Sequence, residues 1–147
     1  LAVQTGLISG GATSEEALEG GKIAGMIGEA FQILDDVKNL TSGNPGKKRG
    51  DDIVERKKSL PVLLHIKENP SDAKIISSLM TKASNEGIDS PAVEECINLL
   101  HSKGAVTKAY NIGLKSISEN SQKLSVLFQK ETKSSTLILE LFSQMAK

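Results

Sequence analysis

Aromatic residues are scarce in this 147-residue sequence: they make up 3% of it, and none is a tryptophan. Proteins that bind single-stranded nucleic acid stack the bases on aromatic side chains, so this composition argues against that class of function. Net charge is also missing, because 18 basic residues balance 18 acidic ones. A uniformly basic surface for nucleic acid or membrane is therefore excluded, and any basic patch has to be local.

Cysteines and long apolar runs are equally sparse. The one cysteine, Cys96, rules out an internal disulfide and fits a reducing compartment, so we predict a cytoplasmic protein. No apolar run approaches the roughly 20 residues of a membrane span, and no signal peptide is visible. The sequence starts at Leu1, in residues typical of the tail of a helix, and we expect it to begin partway through a larger protein.

Apolar residues recur at helical spacing along most of the chain, and no stretch shows sustained strand-like alternation. Start and stop signals predict about seven helices and an all-α fold. A capping box of Thr13 and Glu16 opens a predicted helix over residues 14–40. Four glycines inside it each cost about 1 kcal/mol against alanine, which is tolerable where neighbouring helices pack very close. We therefore predict that this helix is central.

The remaining elements follow from the same signals. Residues 47–58 are too charged for a core element and are predicted to form an ordered loop. Further helices are predicted over residues 1–9, after a cap at Ser59, from a cap at Ser71 to near Gly87, from Ser90 and Pro91 to Gly104, from Ala105 to Phe128, and from Leu137 to Met145.

Two adjacent carboxylates, Asp35 and Asp36, lie near the end of the predicted central helix. Asp35 is four residues from both Phe31 and Asn39, so these three residues share one helix face. Mg²⁺ takes oxygen ligands, usually one or two carboxylates with water and substrate phosphate. Asp35 meets that need, with Asp36 as a second ligand or orienting group and Asn39 as a neutral amide oxygen. On its own, such a short motif more often marks a solvated helix end.

Basic residues follow the carboxylates, including Lys47 and Lys57. A carboxylate pair near a helix C-terminus opposes the helix dipole and is unfavourable without a cation. Lysines in the next segment can donate charge-assisted hydrogen bonds to a diphosphate. The alternative is that these cations only neutralise Asp51, Asp52 and Glu55, as exposed pairs worth about 0–1 kcal/mol.

The stretch FQILDDVKN, followed by GKKRGDDIVERKKSLP, resembles the second aspartate-rich motif and downstream signature of the trans-type isoprenyl (polyprenyl) diphosphate synthases. In that family the pattern is FQxxDDxxD and then GKxxGDDLxEGKxTLP. Asn39 stands at the last motif position, as in some geranylgeranyl-type members. The later helix spacing is also similar to the family's C-terminal half. The resemblance implies an all-α helical bundle, with residues 1–147 as the C-terminal portion of a polyprenyl synthetase domain of the isoprenoid synthase fold.

The resemblance further implies a prenyltransferase of isoprenoid biosynthesis, which condenses isopentenyl diphosphate with an allylic diphosphate. Mg²⁺ held by aspartates would bind the allylic diphosphate and assist its departure. Seven site residues follow from the motif positions: metal ligands Asp35, Asp36 and Asn39, pocket residues Phe31 and Gln32, and diphosphate contacts Lys47 and Lys57, with Asp35, Asp36, Lys47 and Lys57 as the catalytic group.

The sequence contains no first aspartate-rich motif. The resemblance therefore implies that the isolated chain is inactive, that the full-length protein is a homodimer, and that product length is set in the part absent here. The alternative is a non-catalytic, truncated helical subunit that docks on a complete synthase. His65, His101 and Cys96 show no metal-ligand spacing, so packing or surface roles are expected for them.

Overall fold

The computed structural model describes residues 1–43, 46, 48–127 and 133–145, with the backbone alone for 133–135. These residues form eight α-helices and one 3-10 turn, and they contain no strand, which confirms the all-α prediction. The elements in chain order are α1 (Ala2–Ser9), α2 (Ser14–Thr41), α3 (Asp51–Val54), α4 (Leu60–Glu68), a 3-10 turn (Pro70–Asp72), α5 (Ala73–Glu86), α6 (Pro91–Ser102), α7 (Ala105–Leu127) and α8 (Lys133–Met145). Within the described ranges, no helix combines the length and apolarity that a bilayer crossing requires.

The start of α2 confirms the predicted capping box. The Thr13 amide donates to Glu16 Oε2 at 2.8 Å, and the Glu16 amide donates to Thr13 Oγ1 at 3.2 Å. Each residue thereby satisfies an N–H that the first turn of a helix leaves without an intrahelical partner. The hydrogen bond from the Thr13 backbone lowers the pKa of Glu16 below its ordinary value.

The chain forms two compact units, one of Leu1–Gln32 with Ile112–Lys147 and the other of Ile33–Asn111. Helix α2 contributes residues to both, because the boundary falls between Gln32 and Ile33. The prediction that residues 1–147 are one portion of a larger domain stays a prediction.

In the first unit, close packing explains two of the four α2 glycines. A Cβ added at Gly20 would overlap the Leu7 side chain, and one added at Gly21 would overlap the side chain of Gln4. Helix α1 therefore lies against α2 at these positions, and the expected close packing is found at these two glycines. The other two glycines meet no atom within 4 Å among the described residues, so packing does not explain their cost in helix propensity.

The second unit has an apolar core built from the end of α2 and from helices α3 to α7. Its fully buried members lie on five of these helices: Leu40, Ile53, Ile76, Ala83, Ala92, Cys96, Ile97, Leu100 and Ala109. The C-terminal turns of α2 and the short α3 therefore belong to a packed core rather than to a solvated surface.

The prediction of a loop over residues 47–58 is wrong for its middle, where α3 forms. Gly50 precedes that helix with φ +89°, a conformation that glycine adopts without steric cost. Ile53 then enters the core with 1% of its surface exposed. Val54 packs against the same core, so two apolar residues anchor a segment that its charges mark as solvated.

Two predicted helix caps have different outcomes. Ser90 Oγ accepts from the Ala92 amide at 3.3 Å, which confirms the predicted start of α6. Ser71 is not the cap of α5: it lies inside the 3-10 turn, and Asp72 occupies the N-cap position. The Asp72 carboxylate is instead 3.0 Å from Nε2 of the buried His65. At the end of α7, the predicted position Phe128 lies outside the described residues.

Candidate functional site

The three predicted metal ligands lie in the last two turns of α2 and differ in accessibility. Asp35 is exposed at the surface. The Asp36 side chain is 8% exposed, and Asn39 is completely buried. Helical spacing placed Asp35 and Asn39 on one face, but packing buries only the second of them. Asp35 is therefore the carboxylate of this group that a ligand in solution can reach.

Lys57 lies between two buried carboxylates. Its Nζ is 2.6 Å from Asp36 Oδ1 and 3.3 Å from Asp52 Oδ2. Its backbone amide also donates to the Asp52 carbonyl at 2.9 Å. Lys57 thus joins an acid of the first aspartate pair, Asp35-Asp36 on α2, to an acid of the second pair, Asp51-Asp52 on α3. The sequence left diphosphate binding and charge neutralisation as alternative roles for this lysine. In the structure, Lys57 forms ion pairs with Asp36 and Asp52.

The pKa of Lys57 is raised above its ordinary value of 10.5 by these two neighbours. Burial lowers the pKa, but the hydrogen bond and charge of Asp36, followed by those of Asp52, outweigh that effect. Lys57 is therefore a cation at neutral pH.

Asn39 connects α2 to the start of α3 by two hydrogen bonds. Its side-chain Oδ1 accepts from the Asp52 amide at 3.2 Å, and its carbonyl oxygen accepts from the Gly50 amide at 2.9 Å. Its Nδ2 is buried and has no hydrogen-bond partner among the described residues. No signal in the sequence distinguished this role from metal binding.

Other cations of the basic segment pair with acids near the start of α6. Arg49 forms an ion pair with Glu94, and Lys48 Nζ is 3.5 Å from Asp89 Oδ1. The second pair is largely exposed and contributes about 0–1 kcal/mol to stability. Lys47, a predicted diphosphate contact, lies outside the described residues, and its role stays a prediction.

The two predicted pocket residues lie in the first unit. Phe31 is half-buried, and its ring packs on that of Phe142 with centroids 6.2 Å apart and an angle of 38° between the ring planes. The ring also covers a small cluster of buried residues that includes Ile27 and Leu124. Gln32 is exposed. Both assignments to a substrate pocket stay predictions.

The type of donor atom at this site suits a hard divalent cation, but the number of ligands grouped in the described part of the chain does not complete its coordination shell. Asp35 and Asp36 are adjacent carboxylates, the type of donor around which Mg²⁺ typically completes its shell with water and phosphate, but only Asp35 of the two is exposed. Among the described residues, however, no three His, Cys, Asp or Glu side chains are grouped to hold an ion. Ligands besides these carboxylates are therefore needed to complete a shell.

The two histidines and the cysteine take part in hydrogen bonding or in core packing. His65 contacts Asp72, as described above, and His101 Nε2 is 3.3 Å from the Leu40 carbonyl oxygen. Cys96 is completely buried, and burial raises the pKa of its thiol to about 11. A thiol in this state is a poor nucleophile, because the thiolate is the reactive form.

Most of this chain is similar in sequence to a known protein family. The model of the polyprenyl synthetase family matches residues 1–100, a range that contains α1 to α5 and most of α6. The chain belongs to the polyprenyl synthetase family. The resemblance stated from the motif is thereby confirmed at the level of the family. The matched range includes Asp35, Asp36, Asn39 and Lys57.

Individual relatives agree with the family assignment. The chain is 42% identical over 71 residues to a geranylgeranyl pyrophosphate synthase of Neocamarosporium betae, covering 47% of this chain and 21% of the relative. It is 34% identical over 90 residues to geranylgeranyl pyrophosphate synthase 2 of Zymoseptoria tritici, covering 58% and 27%. It is 30% identical over 105 residues to nonaprenyl diphosphate synthase of Mycobacterium tuberculosis, covering 69% and 30%.

The matches thus span between about a fifth and a third of the length of these relatives. No solved structure matches the chain. The assignment of this chain to the family therefore rests on sequence similarity. The geometry of its aspartates is taken from its own structure.

Proposed function

We propose that this chain supplies the second aspartate-rich, metal- and diphosphate-binding part of a polyprenyl diphosphate synthase. The reaction is the condensation of isopentenyl diphosphate with an allylic diphosphate, in isoprenoid biosynthesis. Membership of the polyprenyl synthetase family supports the reaction class. One observation carries the site: the exposed Asp35 adjoins a buried Asp36 that holds the Lys57 ammonium at 2.6 Å.

In this proposal, Asp35 is the principal Mg²⁺ ligand and Asp36 is its neighbour in the metal site. When bound, Mg²⁺ would neutralise the charge that develops on the departing diphosphate. Lys57 would donate hydrogen bonds to the diphosphate of the allylic substrate, and its raised pKa keeps it protonated for this task. Its backbone and both acid partners fix where its ammonium lies before substrate arrives.

The remaining assignments extend the same proposal. Lys47 would be a second diphosphate contact, and Phe31 and Gln32 would line the pocket beside the diphosphates. Asn39 is the predicted third metal ligand, but its complete burial points to another role.

Turnover requires more than this chain in our proposal, because its sequence contains no first aspartate-rich motif. We therefore expect the 147 residues alone to bind diphosphate with Mg²⁺ and not to catalyse condensation. We propose a homodimeric, cytoplasmic full-length enzyme. The alternative of a non-catalytic docking subunit is not favoured, since the relatives quoted above are themselves named as synthases.

Calorimetry with geranyl diphosphate, in the presence and absence of MgCl₂, tests this proposal. We expect Mg²⁺-dependent binding by the wild-type chain and its loss in Asp35→Ala, because the exposed carboxylate no longer reaches the metal. The matched control is Glu119→Ala on α7, which removes an exposed carboxylate that lies 3.8 Å from Lys115. Equal affinity with and without Mg²⁺, or the same loss in the control, would overturn the assignment of the site.

A further inference from the structure

Asn39 has the surroundings of a structural residue rather than those of a metal ligand. None of its surface is exposed, whereas Asp35, one helical turn earlier, is open to solvent. The Asp52 amide needs an acceptor, and this requirement orients the Asn39 amide with Oδ1 towards it at 3.2 Å. Binding a metal through Oδ1 would expose a buried side chain and disturb that hydrogen bond.

The hydrogen bonds of Asn39 fix the start of α3. Oδ1 holds the Asp52 amide, and the Asn39 carbonyl holds the Gly50 amide at 2.9 Å. Gly50 also packs closely against α6, because a Cβ at this position would overlap Val93. The first turn of α3 is therefore held from α2 on one side and limited by α6 on the other.

Asp52 in turn contacts Lys57 through both its side chain and its backbone. Its Oδ2 is 3.3 Å from Lys57 Nζ, and its carbonyl accepts from the Lys57 amide at 2.9 Å. Asp36 holds the same ammonium from α2. The contacts thus form a closed ring from Asn39 through Asp52 and Lys57 to Asp36, and back along one turn of α2.

We propose that Asn39 is a positioning residue: it holds Asp52, and through Asp52 it fixes the Lys57 ammonium beside Asp36. The inference rests on the proposed function only in its last step, the use of Lys57 for diphosphate binding. An amide suits this position because it supplies the acceptor without charge. A carboxylate there would place a third acid beside the buried Asp36 and Asp52.

Amide hydrogen exchange of the full 147-residue chain tests the hydrogen-bond part. In Asn39→Ala, we expect exchange at the Asp52 amide to accelerate by roughly two- to tenfold, as the loss of one hydrogen bond implies. The Gly50 amide should accelerate less, because its acceptor is the backbone carbonyl of residue 39. Asn39→Asp keeps a side-chain acceptor and should keep the Asp52 amide protected. An unchanged Asp52 amide in Asn39→Ala would overturn the inference.

A matched control is Asn120→Ala. Asn120 is also buried, but its side chain donates to the Ser116 carbonyl at 2.8 Å on its own helix, α7. This variant should leave exchange at the Asp52 amide unchanged. Acceleration there as large as in Asn39→Ala would show a general loosening of the chain and would also overturn the inference.

Titrations with inorganic pyrophosphate and MgCl₂ separate positioning from metal binding. In Asn39→Ala we expect pyrophosphate affinity at saturating Mg²⁺ to fall several-fold, while the half-saturating Mg²⁺ concentration stays unchanged. A metal ligand at this position predicts the reverse: a higher half-saturating concentration in Asn39→Ala and a lower one in Asn39→Asp. That result would overturn the inference.

Two further results are distinguishable. If the wild-type chain does not bind pyrophosphate, the proposed function fails, and the exchange experiment still decides the role of Asn39. If Asn39→Ala does not fold, Asn39→Asp decides it, with a protected Asp52 amide and no gain in Mg²⁺ affinity as the expected result. A lower half-saturating Mg²⁺ concentration in that variant would contradict the positioning role.

Discussion

The two aspartate pairs of this chain have the same sequence and lie at opposite ends of helices. Asp35 and Asp36 lie in the last two turns of α2, whereas Asp51 and Asp52 form the first turn of α3. The helix dipole favours acids at an N-terminus and disfavours them towards a C-terminus. The second pair therefore stabilises its helix, whereas the first pair is stabilised only when a cation lies nearby. In our proposal, the same dipeptide stabilises a helix in one place and forms part of a binding site in the other.

Each pair also has one buried member, and Lys57 joins these two. Asp36 and Asp52 are 6% and 4% exposed, and the lysine ammonium is within 3.3 Å of both. The comparison teaches that burial decides the role of each acid as much as sequence position does. Four experiments test how far it holds.

The largest effect is expected from Gly50→Ala, which removes the turn that places the second pair. A positive φ costs an alanine about 1–2 kcal/mol, and overlap with Val93 adds about 1–3 kcal/mol. We expect urea denaturation to show a loss of about 2–5 kcal/mol. Gly25→Ala in α2 is the control: no described atom lies within 4 Å of its added Cβ, and it should stabilise by about 1 kcal/mol. Equal effects of the two changes would contradict the role given to Gly50.

Replacing Lys57 by methionine is expected to have the next largest effect, because it leaves two buried carboxylates without their shared cation. Breaking a fully buried pair costs about 3–5 kcal/mol. The Lys57 side chain is 38% exposed, so solvent screening reduces our expectation to about 1–3 kcal/mol. Lys115→Met, which removes an exposed lysine, should change stability by about 0.5 kcal/mol or less. The check is the free energy of unfolding of both variants in urea.

The same variant has a pH signature. A lysine with a raised pKa stabilises the folded state fully below its ordinary pKa of 10.5, and this contribution is lost as pH rises through the folded-state pKa. The stability difference between the wild-type chain and Lys57→Met should therefore shrink above pH 10.5. Both chains should carry Cys96→Ala, because the buried thiol has a pKa of about 11 and titrates in this range. A difference that grows with pH would contradict the ion-pair assignment.

The smallest effect should separate Asp35 and Asp51, the more accessible members of the two pairs. Asp51 is half-buried, and its Oδ2 accepts from the Lys48 amide at 3.0 Å ahead of α3. Asp51→Ala should therefore destabilise by about 0.5–1 kcal/mol. Asp35→Ala should stay within about 0.5 kcal/mol of wild type, since its charge weakly opposes the α2 dipole. Thermal unfolding of both variants tests this, and a greater loss for Asp35→Ala would reverse the comparison.

Local patterns predicted most helix starts correctly and missed what depends on distant packing. The capping box at Thr13 and the cap at Ser90 involve neighbours in sequence, so the residues alone identify them. Helix α3 escaped prediction because it depends on Ile53 entering a core that is completed by α6. Ser71 misled because the following Asp72 carboxylate meets His65 from the preceding helix.

The candidate site divides in the same way. The order and spacing of aspartates, glycines and lysines marked the family and placed Asp35 at the centre of the predicted metal site. Which acids are buried, and that Lys57 pairs with two of them, could not be deduced from spacing. Those contacts join residues 21 and 5 positions apart, and helical spacing predicts neither of them.

The sequence by itself determined the all-α fold class, the family and the position of the aspartate-rich motif, because helical periodicity and motif spacing are local properties. Tertiary structure alone decided that Asn39 faces inward to Asp52 and that Asp35 faces solvent. Side chains four residues apart share a helix face in sequence terms, but their exposure depends on which other helices cover that face. Here a short helix packed against α6 covers one end of the motif and leaves the other open.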